Sequence, residues 1–197
     1  YYLKKYGSSD KKKLVCHPYA LKPKKYKRDN IGIKGTEKGL EQQFEIIKTK
    51  VPYWLNGAIV FLGEIERNTA FENLTPLGKT KVNEEYVDDF LFDDSALAIN
   101  TNDGIVIITG CSHSGICNII EQAKKVLNNN KIRMIIGGFH LQSEDPDDEI
   151  LTKTKEFLGK ENIGIVYPCH CTNLLSKNEI AKVTRVGEAG SGTSIEI

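Results

Sequence analysis

Gly104-Ile-Val-Ile-Ile-Thr-Gly-Cys-Ser-His-Ser-Gly-Ile-Cys-Asn118 is the stretch whose reading decides the fold. Its apolar run reads as a buried strand that breaks abruptly into a glycine and polar loop carrying Cys111, Ser112 and His113. Two later runs end the same way, Arg133-Met-Ile-Ile-Gly-Gly-Phe-His140 and Ile163-Gly-Ile-Val-Tyr-Pro-Cys-His-Cys-Thr172. Three of the four histidines therefore stand at equivalent strand tips. In layered α/β proteins the crevice outside the carboxyl ends of the strands is where ligands bind, because loops there are exposed yet positioned by a rigid sheet. Any one histidine alone reads more readily as a hydrogen-bonded structural imidazole. Recurrence at three matching positions favours a metal site.

Working outward, Asn102-Asp103-Gly104 between the apolar runs 95–100 and 105–109 is a hairpin signal. Ile116, Ile119, Ile120, Ala123 and Leu127 recur at helical spacing over 115–127, with Ser114 placed to cap the start. The free backbone amides of that start, beside Ser114 and Gly115, offer an anion site. A helix is expected from Asp145-Pro146 to about residue 158, then a strand over 163–167, a helix from Ser176 and a final strand over 193–197. Earlier, the pattern predicts a strand over 14–17, a hairpin region between 31 and 54 and a strand over 58–62. Residues 64–93 are polar and irregular apart from short pieces, long enough to form a substrate-covering loop. Gly187-Glu-Ala-Gly-Ser-Gly192 reads as a turn and is not a phosphate-binding P-loop, since no Gly-Lys-Ser/Thr follows.

The 197 residues can bury a real core and most simply form one domain. With 40% hydrophobic and 27% charged residues the composition is that of a soluble protein. No apolar run approaches the roughly 20 residues needed to span a bilayer, and no secretory signal is visible, so a cytoplasmic location without a membrane partner is the expectation. Five cysteines, two of them at Cys169 and Cys171, do not make a disulfide framework, and without Cys-x-x-Cys spacing a closed zinc ribbon has little support. Reduced thiols are expected.

Charge is uneven. Residues 1–29 hold ten Lys/Arg against two Asp/Glu, leaving seventeen against twenty-four elsewhere. A basic segment with five tyrosines can in principle meet nucleic acid, but a solvated lysine-rich surface is the simpler reading and a nucleic-acid partner is not expected. The chain starts at Tyr1 and its one methionine is Met134, which reads as a fragment or processed chain whose residues 1–6 are the last turns of a helix.

Gly63-Glu-Ile-Glu, the paired aspartates before Ser95-Ala-Leu, Thr109-Gly-Cys-Ser-His-Ser-Gly-Ile-Cys-Asn118, Gly137-Gly-Phe-His-Leu141 and Pro168-Cys-His-Cys-Thr172 together resemble one branch of the metallo-β-lactamase-fold superfamily. That branch includes the archaeal dihydropterin ribofuranosylaminobenzene phosphate synthases and bacterial relatives described as metal-dependent hydrolases. The resemblance implies an α/β (α+β) fold, a four-layer αββα sandwich with one or two divalent metals, zinc or manganese, on one edge. It also implies truncation at the N-terminus, because the superfamily's His-x-His-x-Asp-His signature does not occur in the 197 residues.

Carried over residue by residue, His170 matches the late histidine ligand, and Cys111 falls where the superfamily has a metal-bridging aspartate. His113 lies two residues on, and in extended backbone residues two apart face the same side, so both are expected to point at the metal. A thiolate there favours softer metals such as zinc, whereas an oxygen-rich site suits manganese or magnesium. His140 is left open between a ligand, an acid or electrostatic stabiliser facing substrate, and a structural imidazole. Asp94 is left open between a strand-entry cap and a catalytic carboxylate.

The function so implied is metal-dependent hydrolysis of a small, phosphate-bearing or pterin-like substrate, with a homo-oligomer as an open alternative to a monomer. Phosphoribosyl transfer to a pterin precursor is the second reading, and an inactive fragment or nucleic-acid-binding module the third. For the chain by itself, little or no activity is expected.

Overall fold

The computed structural model describes residues 11–33 and 37–197; the helix end expected at residues 1–6 lies outside them. The hairpin signal at Asn102-Asp103 forms as expected. β9 (Ala96–Thr101) and β10 (Gly104–Thr109) pair antiparallel, Thr101 opposite Gly104, and Thr101 Oγ1 donates to the Gly104 carbonyl at 2.6 Å across the turn. β11 (Ile132–Gly137) and β12 (Ile163–Pro168) then add in parallel beside β10. On the other side β9 pairs with β6 (Ile59–Phe61), and β6 with β5 (Tyr53–Trp54), giving a six-stranded sheet in the order β12-β11-β10-β9-β6-β5.

The parallel half is built by helical crossovers. α2 (Ile116–Leu127) links β10 to β11, and α3 (Glu149–Lys160) links β11 to β12. Alternation along the strands sends Val60, Ala96, Ala98, Ile105 and Ile107 to one face, where they join Ile116, Ile119, Ile120 and Ala123 of α2, Leu151 and Leu158 of α3, and Ile180 of α4 (Leu174–Ile180) in one buried cluster. Each fully buried isoleucine contributes about 1.5–3 kcal/mol, so this face is the principal source of stability. The same strands carry Phe61, Leu97, Ile99 and Ile136 half-buried and Ile108 exposed on the opposite side.

Among the described residues, two smaller sheets accompany the six-stranded one. β2 (Lys24–Tyr26), β3 (Asp29–Asn30), β7 (Lys79–Val82) and β8 (Glu85–Asp88) form an antiparallel sheet in the order β3-β2-β7-β8. β1 (Lys12–Cys16) pairs in parallel with β4 (Phe44–Lys48), which follows the short α1 (Glu37–Glu41).

Several expectations are corrected by this arrangement. Among the described residues no hairpin forms between 31 and 54, because β4 finds its partner in β1 and β5 in β6. The short pieces expected within residues 64–93 are β7 and β8, which form a hairpin there and so are no correction. Helix α3 starts after Asp148, whose side chain accepts from the Leu151 N–H, while Asp145 forms a turn before it. α4 begins two residues before Ser176, with Asn173 as its cap. Residues 193–197 form no strand; the last ladder contact is the isolated bridge between Val166 and Val186.

Candidate metal centre

The carboxyl ends of β10, β11 and β12 are tied to one another by backbone and side-chain bonds. Gly138 N donates to the Gly110 carbonyl at 2.7 Å, Ser112 Oγ donates to the Gly138 carbonyl at 2.6 Å, and Cys169 N donates to the Gly137 carbonyl at 2.7 Å. Phe139 N donates to Thr172 Oγ1 at 3.0 Å. Glycine is required at position 138 by close approach: a Cβ there would collide with Cys171 Sγ and press on the Gly110 carbonyl and the His170 ring. Ser112 and His140 both hold left-handed backbone, φ 57° and 51°, which non-glycine residues seldom adopt and which clusters at ligand-binding sites.

This lacing brings three soft donors together. Cys111 Sγ lies 2.9 Å from His170 Nε2, and Cys111, His170 and Cys171 place their donor atoms within 4.8 Å of one another. His170 is exposed, Cys111 half-buried and Cys171 buried. The Cys171 thiol is pushed up to about 11 by burial, despite the His140 N–H that points to its sulfur at 3.3 Å. Two sulfurs and one imidazole nitrogen form the donor set of a zinc-like ion, and they leave a fourth position open. The residues present therefore fit one soft divalent metal.

His113 stands outside this trio. The left-handed turn at Ser112 breaks the extended alternation that was expected to aim Cys111 and His113 the same way, and the His113 ring instead lies against the His140 ring, centroids 4.2 Å apart and tilted by 57°. Burial, and next the His140 ring, hold His113 below the ordinary imidazole value. The two imidazoles form one end of a cleft of about 320 Å³ whose walls include Leu74, Leu77, Phe139, Leu141 and Ile150. His170 faces a second, more open hollow of about 550 Å³ shared with Thr172, Lys177 and Gly190.

Asp94 acts as a brace. Its Oδ2 accepts from Ser114 N at 2.9 Å and from Ser114 Oγ at 2.6 Å. That geometry also overturns the expected cap. Ser114 is spent on Asp94, and the start of α2, with Gly115 at its N-cap position, is capped instead by Glu72, which accepts from the amides of Cys117 and Asn118, both at 3.0 Å. The amides assigned to an external anion beside Ser114 and Gly115 are thus taken by the protein's own carboxylate. Burial raises the Glu72 carboxyl above its ordinary value, against the lowering effect of these bonds. Asn73, next in the chain, donates to the His113 carbonyl at 2.5 Å and to the Phe90 carbonyl at 3.2 Å.

Cys171 and Glu72 were not singled out by sequence. For Cys171 the signal was present, a second sulfur adjacent to a histidine at a strand tip. Glu72 had none, because it comes from an irregular segment 45 residues from the amide it caps.

No family model matches the chain. In structure it is similar to Tm1679, a metal-dependent hydrolase of the β-lactamase superfamily, with a TM-score of 0.82 and 24% identity over 95% of this chain and 72% of that one. The chain therefore has the metallo-β-lactamase fold. In sequence it is 35% identical over 135 residues to 7,8-dihydropterin-6-methyl-4-(β-D-ribofuranosyl)-aminobenzene-5'-phosphate synthase of Methanocaldococcus jannaschii, a match covering 67% of this chain and 45% of the relative. It is 33% identical over 78 residues to an uncharacterized protein of the same archaeon, covering 40% of this chain and 28% of that protein. The branch implied by the motifs is the one found. The chain spans less than half the length of the curated relatives it matches.

Proposed function

We propose that the chain carries the metal-binding rim of a metal-dependent hydrolase acting on a small molecule, with Cys111, His170 and Cys171 as the protein's ligands. The observation that carries this reading is the gathering of those three donors at the carboxyl ends of the parallel strands β10 and β12, beside the hollow that His170 lines. The chemistry that a divalent metal supplies in such a setting is activation of water at neutral pH and polarisation of a carbonyl or phosphoryl oxygen.

His113 and His140 do a different job. Their rings line the cleft, and His113, held towards its neutral form, offers one ring N–H to donate and one ring nitrogen to accept, enough to orient a polar group of the substrate. Leu74, Leu77, Phe139, Leu141 and Ile150 line the rest of it and offer an apolar surface to the remainder of the substrate. Asp94, Asn73 and Glu72 fix the loop that carries His113. Lys177, in the hollow beside His170, is paired with Glu188 at 3.5 Å and would have to exchange that partner for an anionic substituent.

With three protein ligands, turnover by this chain is expected to be slow. Hydrolysis of the chromogenic diester bis(p-nitrophenyl) phosphate should require added zinc and disappear in His170→Ala. Turnover without metal, or equal turnover in His170→Ala, would contradict the reading. Zinc binding without any hydrolysis would favour phosphoribosyl transfer, the second reading, which the 35% identity to the archaeal synthase supports.

A further inference from the structure

We propose that Cys111 and Cys171 are also a modification site: under oxidising conditions the two sulfurs join in a disulfide, so that the pair either holds a metal or cross-links the loops after β10 and β12. The inference deepens the metal reading, and rests on it only for the alternation between the two states.

The sulfurs already lie within 4.8 Å, and Cys171 Sγ is 3.5 Å from the Cys111 carbonyl oxygen. A disulfide is about 2.05 Å long and demands a defined Cβ geometry, so side-chain rotation has to close the remaining gap. Nothing stands in the way at Gly138, the residue of the third strand tip that passes beside Cys171, because it has no side chain. Exposure divides the roles. Half-buried Cys111 is open to a small oxidant, while Cys171, 7% exposed, is shielded from it and has the Cys111 sulfur within 4.8 Å. Cys169 is the nearest competitor in sequence, and its thiol points to the Tyr167 carbonyl at 3.3 Å. Cys117 is fully buried in α2.

The chemistry balances with hydrogen peroxide as oxidant. Cys111 sulfur attacks one peroxide oxygen, the O–O bond breaks, and one water leaves with a sulfenic acid on Cys111. Cys171 sulfur then attacks Cys111 sulfur and displaces that oxygen as a second water. Two thiols are oxidised and one peroxide is reduced to two waters. Metal ligation needs both sulfurs as free thiolates, so the cross-link and the metal exclude one another.

Treating metal-free and zinc-loaded protein with one equivalent of hydrogen peroxide, followed by peptide mass mapping and a chromogenic zinc chelator, tests this. The expected result is a Cys111–Cys171 linked peptide, reversed by dithiothreitol, with one zinc released per disulfide formed. In Cys171→Ser the oxidation should stop at a dimedone-reactive Cys111. A linkage running through Cys169, or oxidation of either form to sulfinic acid without a cross-link, overturns the proposal. If zinc binds but no cross-link forms, the disulfide fails and the metal reading stands. If the cross-link forms in a chain that never binds zinc, the disulfide holds and the metal reading fails.

Discussion

Gly138 is the residue on which the geometry of the rim turns. Glycine there lets Cys171 and the His170 ring approach the tip of β11, so Gly138→Ala should displace Cys171, weaken zinc binding at least tenfold and cost about 1–3 kcal/mol of stability through overpacking. Unchanged affinity in a folded Gly138→Ala would show that Cys171 is not held in this position. Away from the rim, Glu64 tests the electrostatics. Burial opposes its ionisation, but hydrogen bonds from Lys50 and from His17, at 2.9 Å, outweigh it and hold its carboxyl below the ordinary value. A depressed carboxyl contributes stability above the unfolded value of about 4.3 and loses that contribution as pH falls through the folded value. Glu64→Gln should therefore lower the urea midpoint at neutral pH, and the difference from the parent should vanish in acid; a difference independent of pH would refute the assignment. At this scale the meeting of Cys111 with His170 was foreshadowed by strand tips that are continuous in the chain. The placing of His113 against His140 was not, because a single left-handed residue, Ser112, changes which way the next side chain points.

Among the elements, α2 and the segment that caps it are coupled through space. Glu72→Ala would leave the amides of Cys117 and Asn118 without their acceptor at the start of a buried helix, costing about 1–2 kcal/mol, readable as a lower urea midpoint with the slope unchanged. A neutral effect would mean that water replaces the carboxylate without loss. The antiparallel sheet is anchored to the same region by Lys24, buried between Asp89 at 2.6 Å and Asp93 at 2.7 Å. Lys24→Met would leave two carboxylates without their cation, one of them fully buried, and should destabilise by about 3–5 kcal/mol, measured by denaturant titration. The regular elements were legible because their periodicity is local: β9, β10, α2, β11 and β12 stand within a residue or two of where the pattern puts them. Partners of short strands were not. Nothing in Phe44–Lys48 announces that it pairs in parallel with Lys12–Cys16 rather than with its neighbour.

For the whole molecule, the crossovers β10-α2-β11-α3-β12 place three loops on one rim, and the bonds from Glu72, Asn73 and Asp94 hold the first of those loops from the side. Segment 64–93, expected as a cover, lines the cleft and also braces the rim, a role invisible to sequence because the bonds from Asn73 and Glu72 to the rim join residues 40 or more positions apart. On the proposed function, Cys111, His170 and Cys171 hold one soft metal, with His113 beside it and not in it. The direct measurement is metal per chain by elemental analysis after zinc loading, in the parent and in Cys111→Ser, His170→Ala, Cys171→Ser and His113→Ala. Near-stoichiometric zinc in the parent and in His113→Ala, with loss in the other three, is the predicted result. Zinc retained by Cys171→Ser but lost from His113→Ala would contradict it.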